Sequence, residues 1–301
     1  MKEKKKSIFD IETEEEYLKY KDEVDINEID SLGQNDLFSN NFEKISWLLK
    51  YGIDVNLVDG LGENALFHSS AEVMELLLNA GINVNQINLS GNNALFVLES
   101  NIEEIKLLMS KGINVNQVNK WGRNALFNFL WSEEICELLL DAGVDINKKD
   151  KDGSNALTIA HGEVAKILIE RGIDVNNIEE STGQNKLFTA NIELYPLLLE
   201  KGINVNIIDN FGQGVASYID SKRLALVIDD IHDLSYMTVE KLKQIEFDNG
   251  FFVNGLFNDM EESETQSFKD LIEKRKAEIE RDTILKKLSS CEKDIKIIKR
   301  L

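Results

Sequence analysis

Proline occurs once in 301 residues, at Pro196, and cysteine twice, at Cys136 and Cys291. One proline excludes a proline-rich linker or stalk. Two cysteines cannot build a disulfide framework, which points to a reducing compartment. Histidine is equally scarce: His68, His161 and His232 are the full complement, and no His/Cys/carboxylate cluster has metal-ligand spacing. No apolar run approaches the ~18 residues of a membrane span. The basic stretch Met1 to Lys6 leads into Ser7-Ile8-Phe9-Asp10 rather than the apolar segment of a secretion signal. No glycine-rich loop ending in Lys-Ser/Thr is present to hold a phosphate, and the carboxylates are too scattered to nominate an acid–base pair. The expectation is a soluble, cytoplasmic, non-catalytic protein with neither cofactor nor metal.

Positive charge is also in short supply: 34 Lys and Arg face 54 Asp and Glu, for a net charge of −20. The imbalance sits in residues 7–262, with 19 basic and 45 acidic side chains, whereas residues 263–301 hold 11 and 8. An acidic body repels phosphate backbones and argues against direct nucleic-acid binding. It leaves room for a protein partner, including one whose own surface is basic.

What the chain has in abundance is repetition. One element reads Gly-x-Asn-Ala-Leu-Phe, at Gly62–Phe67, Gly91–Phe96 and Gly122–Phe127, with looser copies starting at Gly33, Gly153 and Gly183. These glycines are spaced 29, 29, 31, 31 and 30 residues apart. A second element, Leu-Leu-x-x-Gly-Ile-Asn/Asp-Val-Asn, ends at Asn56, Asn85, Asn116, Asn147, Asn176 and Asn206. Asn64, Asn93, Asn124, Asn155 and Asn185 precede short apolar runs as helix caps would. The next segments carry apolar residues at i, i+3 and i+4, as in Val73, Leu76, Leu77; Ile105, Leu108, Met109; and Ile135, Leu138, Leu139, which predicts helices with one buried stripe. Gly81, Gly112, Gly143, Gly172 and Gly202 then stop those helices. Each unit therefore reads as hairpin, short helix, helix, and buries its apolar side only by stacking on its neighbours.

This pattern resembles the ankyrin repeat over about residues 24–212. Asn-Ala-Leu-Phe stands where that family has Thr-Pro-Leu-His, and Gly-Ile-Asn-Val-Asn matches its second signature. The family unit is ~33 residues long, and the residues missing here fall between the two helices, so shortened first helices or a clipped turn are expected. The Asn-Ala-Leu-Phe variant is similar to ankyrin proteins of enteric bacteria and their mobile elements. The resemblance implies an all-α helical solenoid with short β-hairpin fingers, and protein–protein binding by its concave face. Inhibiting or sequestering the partner is the specific expectation. The alternative is an acidic nucleic-acid mimic that occupies the basic cleft of a DNA- or RNA-processing or defence enzyme.

Around the repeats of residues 33–212, residues 1–32 read as an N-terminal capping helix and first hairpin, with Thr13 and Glu16 fitting a capping box. Residues 213–262 read as a C-terminal cap region whose aromatic stretch, 251–257, either packs on the cap or forms an exposed patch. Residues 263–301 read as an amphipathic helix. Ala277, Ile284, Leu288, Cys291, Ile295 and Ile298 fall on a short heptad seam. That helix either folds back on the acidic repeats, makes a homodimer through the seam, or binds nucleic acid or membrane.

The finger tips, two residues before each repeat glycine, depart from the repeat. Leu61, Leu89, Trp121 and Phe211 have no framework reason to be apolar there, and with Lys120 and Asp152 they are the candidate partner-binding residues. Trp131, after a first helix, either extends that surface or fills the inter-helix turn. Cys136 lies on an apolar stripe and reads as core, and His68 and His161 read as structural.

Overall fold

In the computed structural model the chain forms two compact units, Met1–Lys151 with Ile159–Ile173, and Asp152–Thr158 with Asp174–Leu301. The structure describes residues 6–98 and 101–219, and single positions 223, 226, 227, 270, 277 and 281. The aromatic stretch 251–257, His232 and the seam residues Ile284, Leu288, Cys291, Ile295 and Ile298 lie outside the described residues.

Among the described residues eight α-helices are delimited: α1 (Glu14–Tyr20), α2 (Phe42–Lys50), α3 (Ala71–Asn79), α4 (Ile102–Ser110), α5 (Glu133–Asp141), α6 (Ala156–Ile159), α7 (Gly162–Glu170) and α8 (Tyr195–Glu200). Short 3-10 helices alternate with them. Among the described residues there is no strand, only an isolated antiparallel bridge between Ile208 and Gly214. The fold is an all-α helical solenoid.

The first helix of most repeats is a single 3-10 turn, as at Ala65–His68, Ala94–Phe96, Ala125–Asn128 and Lys186–Phe188. The repeat is too short for more. The preceding asparagine has two roles. Asn64 Oδ1 accepts the Leu66 N–H at 3.2 Å and caps the turn, while its Nδ2 donates to the Asn83 carbonyl at 2.9 Å. Asn93 repeats both bonds, to Leu95 and Asn114, and so does Asn185, to Leu187 and Asn204. Asn124 departs from the expected cap: it makes the tether to Asp145, but its buried Oδ1 accepts nothing.

The second helices supply the core. Val73 and Leu77 of α3, Ile105 and Leu108 of α4, and Ile135 and Leu139 of α5 are fully buried, and α2 packs on α3 and α3 on α4. Leu76, Met109 and Leu138, on the same expected stripe, sit half-buried at its margin. Full burial of such a side chain is worth ~1.5–3 kcal/mol. Cys136 is buried here too, and burial pushes its thiol up to about 11, which leaves it unreactive. At the end of α3, Gly81 takes φ +87° and the Ile82 N–H returns to the Leu77 carbonyl at 3.1 Å, which reverses the chain.

At the N-terminal side, Thr13 caps α1 by accepting the Glu16 N–H. Tyr17 stacks on Trp47 of α2 with ring centres 5.1 Å apart, and Lys50 pairs with Glu14 at 2.6 Å. Asp36, where most repeats carry alanine, is buried against Lys44 at 2.6 Å. Its burial outweighs that neighbour and holds its carboxyl above the usual range.

The segments expected as β-hairpins are turns. Their backbone amides are taken by side chains rather than by a facing strand. Asp54 Oδ1 accepts the Asn56 N–H (2.9 Å), and Asn56 Oδ1 in turn accepts the Asn83 N–H of the next repeat at 2.7 Å. Asn85 continues the series, accepting the Asn114 N–H at 2.7 Å and donating to the Gly112 carbonyl at 3.1 Å. The second asparagine of Asn-Val-Asn is therefore the inter-repeat staple.

Candidate partner-binding surface

Each finger is a tight loop built around one carboxylate or amide. Asp59 Oδ1 accepts the N–H groups of Leu61 and Glu63, and the loop closes with Asp59 N–H to the Glu63 carbonyl at 2.9 Å. Asn88 and Asn119 build the next two loops the same way. The following glycine completes the turn: Gly122 has φ +82°, and a Cβ there would lie 3.1 Å from the Lys151 nitrogen of the neighbouring finger. Glycine is needed twice over, for the backbone angle and for the close approach.

Successive fingers are linked tip to tip by one backbone bond each. In the first unit Gly60 N–H donates to Leu32 O (3.0 Å), Leu89 to Leu61 O (2.9 Å), Lys120 to Ser90 O (2.8 Å) and Lys151 to Trp121 O (2.9 Å). In the second unit Asn210 N–H donates to Thr182 O at 2.8 Å.

Side chains behind the tips add a second link. Gln34 donates to Asp59 (2.9 Å), Asn88 to Glu63 (2.7 Å) and Arg123 to Asp150 (2.8 Å) in the first unit, and Gln184 to Asp209 (2.9 Å) in the second. Donor and acceptor exchange places along the series, but every one of these pairs is complementary. Burial pushes the Asp59 carboxyl up, and the bonds from Gln34, Glu63 N–H and Leu61 N–H more than offset it, leaving it below the usual range.

The same network brings together a trio that the sequence spacing did not suggest. Asp59, Glu63 and His68 each place a possible ligand atom within 4.8 Å of the others. His68 Nε2 is 3.0 Å from Glu63 Oε2, and Glu63 Oε1 accepts from Asn88. Every carboxylate oxygen of the trio thus has a hydrogen-bond partner within the protein, so the cluster reads as a brace between finger and first helix. His68 also lies against the Phe38 ring, 5.9 Å between centres.

The candidate residues divide between the units. In the first, Leu61, Leu89 and Trp121 are exposed at the tips, Leu89 to 77 %, with Lys120 Nζ 4.5 Å from the centre of the Trp121 ring. Trp131 is 64 % exposed beyond the Ala125–Asn128 turn, anchored by its Nε1 donating to Asn128 O at 2.9 Å. In the second, Asp152 is exposed and Phe211 is 70 % exposed, its N–H bonded to Asp209. Sequence reasoning missed a second row of exposed aliphatics, three positions before the Leu61-type site: Ile29, Val58, Ile87 and Val118 in the first unit and Ile208 in the second, with Ile178 of the second unit four positions before Thr182. The signal was present as an apolar residue two positions after the asparagine that ends the second element, except after Asn147, where Lys149 stands.

No helix among the described residues is long and apolar enough to cross a membrane. A family model described as ankyrin repeats, in three copies, matches residues 37–119, 94–179 and 132–209. No curated protein matches the chain.

Proposed function

Since the chain belongs to the ankyrin-repeat family, a protein–protein interaction module, we propose that it is a non-catalytic cytoplasmic protein that binds, and by binding inhibits or sequesters, a macromolecular partner through its finger surface. The observation that carries this reading is the contrast between framework and tip. Repeat positions on the helices bury their apolar side chains, while Leu61, Leu89 and Trp121 in one unit and Phe211 in the other hold theirs in solvent. The loops beneath them are fixed by hydrogen bonds to Asp59, Asn88, Asn119 and Asp209, so little ordering is left to be done on binding. Lys120 and Trp131 of the first unit and Asp152 of the second complete the proposed contact residues.

Capture of partners from the native cell by the full chain tests it. Trp121→Ala with Phe211→Ala should weaken capture by about thirtyfold, the effect of losing an aromatic anchor worth ~2 kcal/mol, and leave the melting temperature in place. Undiminished capture refutes the assignment of the tips.

A second reading rests on charge: the 45 acidic residues between positions 7 and 262 suit a mimic of nucleic acid. It requires capture that falls steeply with salt and is competed by DNA. Capture that ignores salt removes it.

A further inference from the structure

The finger surface of the first unit differs from the rest of the molecule in charge. Acidic side chains crowd the second helices, with Glu72, Glu75, Glu103, Glu104, Glu133 and Glu134 all on α3, α4 and α5. The tips carry almost none. On the middle two fingers, Asp59 is buried in its loop and the exposed tip side chains are Val58, Leu61, Ile87 and Leu89. On the first, Asp30 Oδ1 is held by the Leu32 and Gln34 N–H groups and the Glu28 carboxylate by Ser7 and Ile8, and Ile29 and Leu32 stand out into solvent.

Further along the same chained row the character changes. Lys120 and Lys151 hold the position of Leu89, and Lys149 the position of Ile87 and Val118. All three lysines are exposed and none makes a salt bridge among the described residues. Of the two carboxylates beside those lysines in the sequence, Asp150 is buried and already paired with Arg123, and the exposed Asp152 is outnumbered by the three lysines. Trp121 lies at the junction, its ring covered on one side by Lys120. The track is thus apolar over three fingers and cationic over the next two, on a chain whose net charge is −20.

We propose that this track takes an extended segment of a partner protein that carries aliphatic or aromatic side chains at one end and a cluster of Asp or Glu at the other. The reading rests on the finger surface being the binding surface and adds the chemistry of what binds. Charge complementarity selects the acidic end, and exposed apolar tips in two rows, Ile29-type and Leu32-type, select the other. A nucleic acid would meet the same lysines, but a protein with a net charge of −20 repels phosphate backbones.

The test pans the full-length protein against a displayed library of random peptides, then repeats the binding with Lys120→Glu/Lys149→Glu/Lys151→Glu and with Leu61→Ser/Leu89→Ser, each checked for native circular dichroism. Enriched peptides should join an apolar cluster to an acidic one. They should lose about thirtyfold in affinity on the charge-reversed protein, from three exposed charge pairs turned repulsive, and about tenfold on the serine variant. Enrichment of basic or neutral peptides, acidic peptides that the charge-reversed protein retains, or no enrichment overturns the proposal. Peptides sensitive to Trp121→Ala but indifferent to the lysines overturn the acidic partner and leave the finger surface standing. A labelled single-stranded RNA or DNA duplex bound more tightly than any peptide, and lost on charge reversal, overturns it in favour of nucleic acid.

Discussion

Lys186→Met should make the protein more stable. Lys186 opens the 3-10 turn Lys186–Phe188 at the position where other repeats have Ala65, Ala94, Ala125 and Ala156. It is 4 % exposed, with Nζ 3.4 Å from the Thr158 carbonyl. Burial drives its pKa from the ordinary 10.5 down to about 8. At ~1.4 kcal/mol per pKa unit, holding the charge in the folded state costs roughly 3 kcal/mol. Methionine keeps the unbranched stem and drops the charge. It also drops the bond to Thr158, worth ~1 kcal/mol. The net gain at pH 7 is then about 2 kcal/mol, or a melting temperature higher by roughly 4–8 °C.

The pH dependence identifies the cause. Below pH 8 the lysine is charged in both folded and unfolded states and the full penalty is present. Between pH 8 and 10.5 the unfolded chain binds the proton more tightly, so wild-type stability rises with pH, and above 10.5 the penalty has gone. Thermal unfolding of wild type and variant at pH 7 and pH 10.5, followed by circular dichroism, reads this directly. The variant's advantage should shrink or reverse at the higher pH. An equal advantage at both pH values, or none at pH 7, refutes the reasoning.

Three other outcomes follow from the finger geometry. Gly122→Ala and Gly112→Ala impose the same positive-φ strain, of order 1–2 kcal/mol, but only the former meets neighbouring backbone, 3.1 Å away, so it should lower the melting temperature by clearly more than its partner. Asn85→Ala removes two bonds between successive repeats and should cost about 2 kcal/mol in urea unfolding. Asp59→Asn keeps the acceptor for both loop N–H groups, as Asn88 does. Because the Asp59 carboxyl lies below its usual range, its stabilisation is present above that range and lost as pH falls through it, so the variant should unfold less steeply with acid than wild type.

Much of the fold is legible in the sequence because the repeat's punctuation is backbone chemistry. Gly81 and Gly122 occur where positive φ is required, and the capping asparagines occur where a turn begins. The fingers are harder to read. Ile-Asn-Val-Asn alternates like a strand, yet its asparagines satisfy the amides locally and across repeats, so no ladder forms. The exposed Ile29–Val58–Ile87–Val118 row stands just after that alternation of apolar and polar residues, so the sequence does not separate it from a buried position. The Asp59–Glu63–His68 brace is not legible because its members lie four and five residues apart across a finger loop and a 3-10 turn, and only that turn brings the histidine onto the carboxylates. The tips themselves were visible as departures from the repeat: Leu61, Leu89 and Trp121 are apolar where burial gives no reason for it.

The most direct test of the account is hydrogen–deuterium exchange of the full chain with and without a captured partner. The finger surface predicts protection concentrated in residues 29–33, 58–62, 87–91 and 118–122, with the outer faces of α3, α4 and α5 unchanged. Protection confined to those helices, with the fingers exchanging as before, would contradict it.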